Sequence, residues 1–154
     1  MNFKTFGPRL YIFALFCLLV TTTSAHADYT QRLSLGVGIV SFQNPNESEF
    51  EFGAEYEYRL NPTWGLGLFT NVIFTNPLIV DIGAPEAFWH PFGSEFLISG
   101  APLIELGQPD GTHVGVHFGT RLPLHLGALT IVPIFGIAFI ESSTRIDYGL
   151  GLEF

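Results

Sequence analysis

The 154-residue chain carries 14 carboxylates against six Lys and Arg, a formal charge of −8, and 47% of it is hydrophobic. That length supports one domain. So acidic a chain lacks the basic patch that neutralises phosphates, which excludes a nucleic-acid partner. Its wealth of Phe, Leu and Ile excludes the disordered class.

The first 27 residues read as a secretory signal peptide. Lys4 and Arg9 form a basic start, and Leu10–Val20 is an apolar run of 11 residues. Ala25–His26–Ala27 is a small-x-small cleavage site. The apolar run is shorter than the roughly 17–25 residues a spanning helix needs, which argues against an uncleaved anchor. Cys17 follows Phe16 where a lipoprotein signal has a small residue, so lipidation is not expected. Cleavage would leave residues 28–154 as the mature domain, without cysteine or lysine. All 14 carboxylates would then face only Arg32, Arg59, Arg121 and Arg145, a formal charge of −10.

From there the chain alternates with period two, the mark of strands with two unlike faces. Leu33, Leu35, Val37 and Ile39 alternate with Ser34, Gly36 and Gly38. In Glu49–Leu60 the even positions are Phe50, Phe52, Ala54, Tyr56, Tyr58 and Leu60, and the odd ones are Glu49, Glu51, Gly53, Glu55, Glu57 and Arg59. No helix could segregate these residues. Trp64, Leu66 and Leu68 then alternate with Gly65, Gly67 and Phe69. The segments around 78–88 and 94–106 are less regular, and 127–139 is apolar on both faces. Val114, Val116 and Phe118 alternate with His113, Gly115, His117 and Gly119, and Ile146, Tyr148, Leu150, Leu152 and Phe154 with Arg145, Asp147, Gly149, Gly151 and Glu153.

These patterns predict eight strands at about 32–42, 50–60, 64–74, 78–88, 94–106, 112–122, 127–139 and 144–154. Their length suits a tilted bilayer crossing of roughly 9–11 residues. Turn chemistry fills the breaks, as in Asn61–Pro62–Thr63 and His90–Pro91–Phe92–Gly93. An even strand number puts both termini on one side. The short loops near 43–49, 75–77, 107–111 and 140–143 would face the other.

A soluble barrel hides its large apolar residues and a membrane barrel displays them. Here one face carries Phe, Tyr, Trp and Leu, and the other is glycine or charged. Eight strands enclose too little space for the first set. Trp64, Tyr58, Trp89, Phe74 and Tyr148 fall near strand ends, where an aromatic girdle belongs. The fold expected is therefore all-β, an eight-stranded antiparallel transmembrane β-barrel behind a signal peptide. The last strand, Ile146-x-Tyr148-x-Leu150-x-Leu152-x-Phe154, resembles the C-terminal signal that the barrel-assembly machinery reads in bacterial outer-membrane barrels. The layout as a whole resembles small barrels of the OmpA, OmpX and OmpW type. That resemblance implies a location in the bacterial outer membrane, with the lipids, the secretion machinery and the assembly machinery as partners.

Three features resist the pattern. Pro102 and Pro133 fall inside strands, where bulges are the usual remedy. Unbroken alternation from Val80 would point Glu86 at lipid, so an irregularity at Pro85 is expected, turning Glu86 inward and Ala87 and Trp89 outward.

By parity, Glu51, Glu55, Glu57, Arg59, Asp81, Glu95, Glu105, His113, His117, Arg121, Arg145, Asp147 and Glu153 point into the lumen. The bland reading is a polar interior in which arginines pair with carboxylates. The sharper one is a cation or proton site, since acids outnumber arginines. His113 and His117 lie about 13 Å apart along one strand face, too far to share a metal. No cofactor motif occurs. Lipid A modification is the enzymatic alternative; its deacylases resemble serine hydrolases with a His-x-Ser pair and a supporting acid, and no histidine here is followed two residues later by serine. The nearest approaches are His90 with Ser94, on the periplasmic side, and His113 with Asp110 and Ser142 or Ser143 near the outer rim. The loops are too short for a receptor surface. The reading is a monomeric structural or envelope-maintenance barrel without catalytic residues, and a solute- or ion-interacting barrel is the alternative.

Overall fold

The computed structural model describes residues 31–43, 46–141 and 143–154; the predicted signal peptide, Cys17 and Ser142 lie outside them. Nine strands follow in order: β1 (Gln31–Gln43), β2 (Asn46–Arg59), β3 (Trp64–Ile73), β4 (Ile79–Trp89), β5 (Leu97–Gln108), β6 (Gly111–Arg121), β7 (Leu124–Leu126), β8 (Leu129–Ile140) and β9 (Ser143–Glu153). All pairings are antiparallel, and β1 closes on β9. β8 pairs with β6 from Ile134 to Ile140 and with β7 from Leu129 to Ile131. β7 therefore continues β6 beyond Leu122–Pro123, and the closed wall has the eight strand positions the alternation predicts.

Two strands start away from expectation: β2 begins at Asn46 rather than 50, pairing with β1 as far as Gln43–Asn46 and shortening the loop expected at 43–49. β5 begins at Leu97 rather than 94, because residues 90–96 build a loop around the 3-10 turn Pro91–Gly93. At the β2–β3 turn, Asn61 Oδ1 accepts hydrogen bonds from the Thr63 and Trp64 amides, at 2.9 and 3.0 Å, and ends β2 sharply.

The large apolar residues face outward. Phe50, Tyr58, Trp64, Leu68, Val114, Phe118, Phe135, Tyr148 and Leu150 are all more than two-fifths exposed. At one end of this band Trp64 and Trp89 lie 6.5 Å apart, and at the other Phe50 and Phe74 lie 5.5 Å apart. Among the described residues no helix is long and apolar enough to cross a membrane, which says nothing against crossing by strands.

The inside is less polar than parity suggests. Phe69, Ala101, Leu103, Ala138 and Ile140 form one buried cluster, and Val40, Ile73 and Ile79 form another against Phe42. Phe88 and Leu97 are also buried. Inward glycines make room for these and for polar groups from neighbouring strands. The Phe69 ring occupies the space a side chain at Gly83 would need, and Asn71 Oδ1 would lie 2.6 Å from a Cβ at Gly53. Gly83→Ala is expected to lower stability by about 1–3 kcal/mol through overpacking. Its urea midpoint relative to the parent chain checks this, and equal midpoints would refute the close fit.

The proline problem is solved by pairing breaks. In β4 the register shifts between Gly83 and Ala87, so Ala84 and Pro85 form a bulge that returns Glu86 to the interior. Pro102 sits opposite that interruption, and its own pairing with β6 is regular. Pro133 similarly lies between the end of the β7 pairing at Ile131 and the start of the β6 pairing at Ile134, level with Leu122 in the Leu122–Pro123 break. Neither internal proline needs a bulge of its own. Each faces a neighbouring strand already interrupted at a proline, so the missing N–H adds no second defect.

Candidate functional site in the barrel lumen

Closure brings the inward charges together across the barrel. Arg145 on β9 reaches Asp81 on β4 (Nη2–Oδ2 2.6 Å) and Glu105 on β5 (Nη1–Oε2 2.6 Å), with its guanidinium 5.5 Å from the Phe42 ring centre. Arg121 on β6 pairs with Glu55 on β2. Both arginines are buried, as are their partners. Such charges are tolerated only when paired. Arg145 to Asp81 and Arg121 to Glu55 each join opposite walls of the eight-position barrel.

At the end holding the termini, residues 90–96 form a lid. Their contacts run across the mouth from β4 and β5 to β1 and β2. Arg32 Nη2 on β1 meets Glu95 Oε2 at 2.6 Å, and its Nη1 lies 3.7 Å from Glu153. Arg59 Nη2 donates to the Ser94 carbonyl at 3.2 Å. His90 is fully buried, with Nε2 2.7 Å from Glu57 Oε1 and Nδ1 3.2 Å from the Ser94 carbonyl. Both ring nitrogens face acceptors, so the nitrogen that carries the proton donates to its neighbour. Partial burial pushes the Glu95 carboxyl up, but the hydrogen bond and charge of Arg32 outweigh it and hold the group below its ordinary value.

In the middle, a cavity of about 40 Å³ is lined by Glu51, Glu55, Asn71, His117, Arg121 and Asp147 among others. The His117 ring packs tilted against Phe69 (ring centres 4.7 Å apart, 53° between planes), and its Nε2 lies 3.5 Å from Asp147 Oδ1. Glu86 is fully buried without an ion pair among the described residues, and the Ser99 side chain on β5 faces its carboxyl. The wall fills the remainder, so the mid-barrel holds a few waters at most.

The opposite end is an open cup of about 410 Å³, with Glu47, Glu49, Asp110 and Glu141 on its rim and Phe42, Ile79 and Ile140 on its floor. His113 stands on this rim between Asp110 (2.9 Å from Nε2) and Glu141 (3.0 Å from Nδ1). The His113 hydrogen bond holds the exposed Asp110 carboxyl below its ordinary value. Carboxylates thus occupy both nitrogens of His113, and Ser143 Oγ donates to the Ile140 carbonyl at 3.1 Å, so His113 and Ser143 do not form a nucleophile–base pair. Among the described residues no group of three or more His, Cys, Asp or Glu is placed to hold a metal.

Every lumen residue predicted by parity lies inside or on a rim. Glu51, Glu55, Glu57, Asp81, Glu105, His117, Arg121, Arg145 and Asp147 are buried; Arg59, Glu95, Glu153 and His113 are the less buried ones near the mouths. The predicted assembly residues Ile146, Tyr148, Leu150, Leu152 and Phe154 lie along the outer face of β9, and Phe154 bonds to Leu33 through both backbone groups, at 2.9 and 3.2 Å. Sequence reasoning missed His90 as a lumen residue and the lid it anchors. The signal was a histidine at inward parity two places beyond Phe88.

No protein-family model matches the chain, and no curated protein matches it. Solved structures do. The N-terminal β-barrel domain of Pseudomonas aeruginosa OprF is 12% identical with a TM-score of 0.58, over 81% of this chain and 98% of that one. Neisserial surface protein A is 9% identical with a TM-score of 0.58, over 80% and 96%. A barrel from the de novo design of transmembrane β-barrels is 11% identical with a TM-score of 0.53, over 81% and 96%. At these identities the likeness is one of fold, and the chain is an eight-stranded antiparallel transmembrane β-barrel similar in architecture to small outer-membrane barrels.

Proposed function

We propose that this protein resides in the bacterial outer membrane as a sealed barrel with a structural or envelope-maintenance role. The observation that carries the reading is the lumen, which is packed with apolar side chains, braced by opposed ion pairs and lidded at one mouth. Such an interior supports a wall element rather than a conduit. The signal peptide would deliver the chain, and the last strand with Phe154 would recruit the assembly machinery. One observation favours a second reading, a solute-interacting barrel: the open cup is acidic over an apolar floor. For the lipid A-modifying alternative, the rim histidine is already bound on both sides.

The test combines gel mobility with conductance. Protein from outer-membrane fractions is expected to shift mobility on heating, deletion of Phe154 to reduce the shifted fraction, and planar bilayers holding the folded barrel to stay at the conductance of bare lipid. Steady channels of defined size would overturn the sealed-wall reading. A soluble periplasmic protein without a heat shift would overturn the location.

A further inference from the structure

The turns at the end holding the termini differ in kind from those at the open cup. The cup rim carries Glu47, Glu49, Asp110 and Glu141. At the termini end the tips read Pro91–Phe92–Gly93 on the lid and Leu126–Gly127–Ala128 between β7 and β8, with no charge in either. Among the described residues Phe92 is the most exposed large apolar side chain, and only Val114 matches Leu126 for second.

Both tips are built to project. The lid leaves β4 straight after Trp89, whose ring neighbours Trp64 on the outer face. Glu57, Arg59 and Arg32 hold His90, the Ser94 carbonyl and Glu95. Between these anchors Phe92 stands at φ 57° and ψ 24°, a left-handed backbone that a bulky residue keeps only where its surroundings fix it. On the neighbouring wall positions, β5 stops at Leu97 opposite Arg121, whereas β7 and β8 run on to the pair Leu126–Leu129 and turn through Gly127 at φ 68°. Leu122, Leu124 and Leu126 prolong the outward row of Val116 and Phe118, so the lipid-facing surface continues onto this hairpin.

Two opposing demands fix the depth of these tips. Exposed Phe and Leu side chains gain by leaving water. Among the described residues, however, β7 pairs with β8 alone, and hydrocarbon excludes a sheet edge whose backbone groups have no partner. The exposed His125 on β7, with Nδ1 2.9 Å from Thr130 Oγ1, also keeps to water. A headgroup layer meets both demands, because apolar side chains reach the acyl boundary while the backbone edge and His125 stay hydrated.

We propose that Phe92 and the tip of the β7–β8 hairpin dock into the phospholipid headgroup layer at the termini end of the barrel. The lid is then held across the mouth by lipid from outside as well as by Arg32 and Arg59 from within. The docking rests on the membrane location proposed above and adds a surface beyond the strand wall.

Residues 28–154 contain no cysteine, so Phe92→Cys, Leu126→Cys and Leu150→Cys chains can each carry one fluorophore. Each is refolded into phosphatidylcholine vesicles, with a heat-dependent gel shift to verify folding. Quenching is compared for a nitroxide on the lipid headgroup, a nitroxide deep on the acyl chain, and iodide on both sides of the vesicle. Labels at Phe92 and Leu126 are expected to lose most fluorescence to the headgroup nitroxide and to be shielded from iodide. The Leu150 label is expected to lose most to the deep nitroxide. Iodide quenching at Phe92 and Leu126, with none from the headgroup nitroxide, would overturn the docking while the Leu150 label upheld the membrane barrel. Shielding from iodide without quenching by either lipid would also overturn it, and would mean that a second copy covers the tips. A Leu150 label quenched by iodide alone would instead remove the membrane location on which the docking rests.

Discussion

Replacing Arg145 with methionine is expected to lower the stability of the folded barrel by about 3–5 kcal/mol, the range for removing one partner of a buried ion pair. Arg145 is 1% exposed and sits between Asp81 and Glu105, each 2.6 Å away. Methionine keeps much of the stem that packs near Phe42 but abandons two buried carboxylates to each other. The loss therefore belongs to the stranded acids more than to the missing attraction. Adding Asp81→Asn and Glu105→Gln to Arg145→Met should recover most of it, because no uncompensated charge then remains. Urea midpoints of the three chains measure the effect. A single mutant within 1 kcal/mol of the parent would show that Arg145 is not the central counter-charge.

Leu150→Arg is expected to cost about 2–4 kcal/mol in a bilayer, the range for arginine on the lipid face at mid-membrane. Leu150 is 58% exposed and pairs with Val37 on β1 and Pro133 on β8, surrounded by outward apolar residues. The same change at Phe74, beyond the end of β3, should cost about 0–1 kcal/mol, because charge near the interface keeps its water. Unfolding in lipid vesicles compares the two. Equal costs at both depths, or a neutral Leu150→Arg, would mean that the apolar band does not face lipid.

Most of the wall was legible in the chain because the two faces of each strand differ so sharply. Glu49–Leu60 can be divided only one way, and Glu86 betrayed the bulge by falling out of parity beside a proline. The contents of the lumen were harder to read. Phe69, Phe88, Leu97 and Leu103 stand at inward parity, yet their fit depends on glycines of other strands, as Phe69 depends on Gly83. Parity also indicates which charges point inward but not which ones meet. Arg32 and Glu95 are 63 residues apart, Asp81 and Arg145 64, and Glu55 and Arg121 66. The lid escaped notice because His-Pro-Phe-Gly-Ser reads as an ordinary turn, and only the closed barrel places Arg32, Glu57 and Arg59 beneath it.

Those three long-range struts bear on the timing of assembly. Each spans the width of the finished barrel, so none can form on a half-built sheet, however well its neighbouring strands have zippered. An open sheet reaching the hydrocarbon would carry the charges of Arg121, Glu55, Arg145 and Asp81 unmatched on its concave side, and lipid offers them no substitute partner. Closure and insertion are thereby bound into one event. The struts reward the completed ring and penalise every open precursor, which makes them a checkpoint as well as a brace.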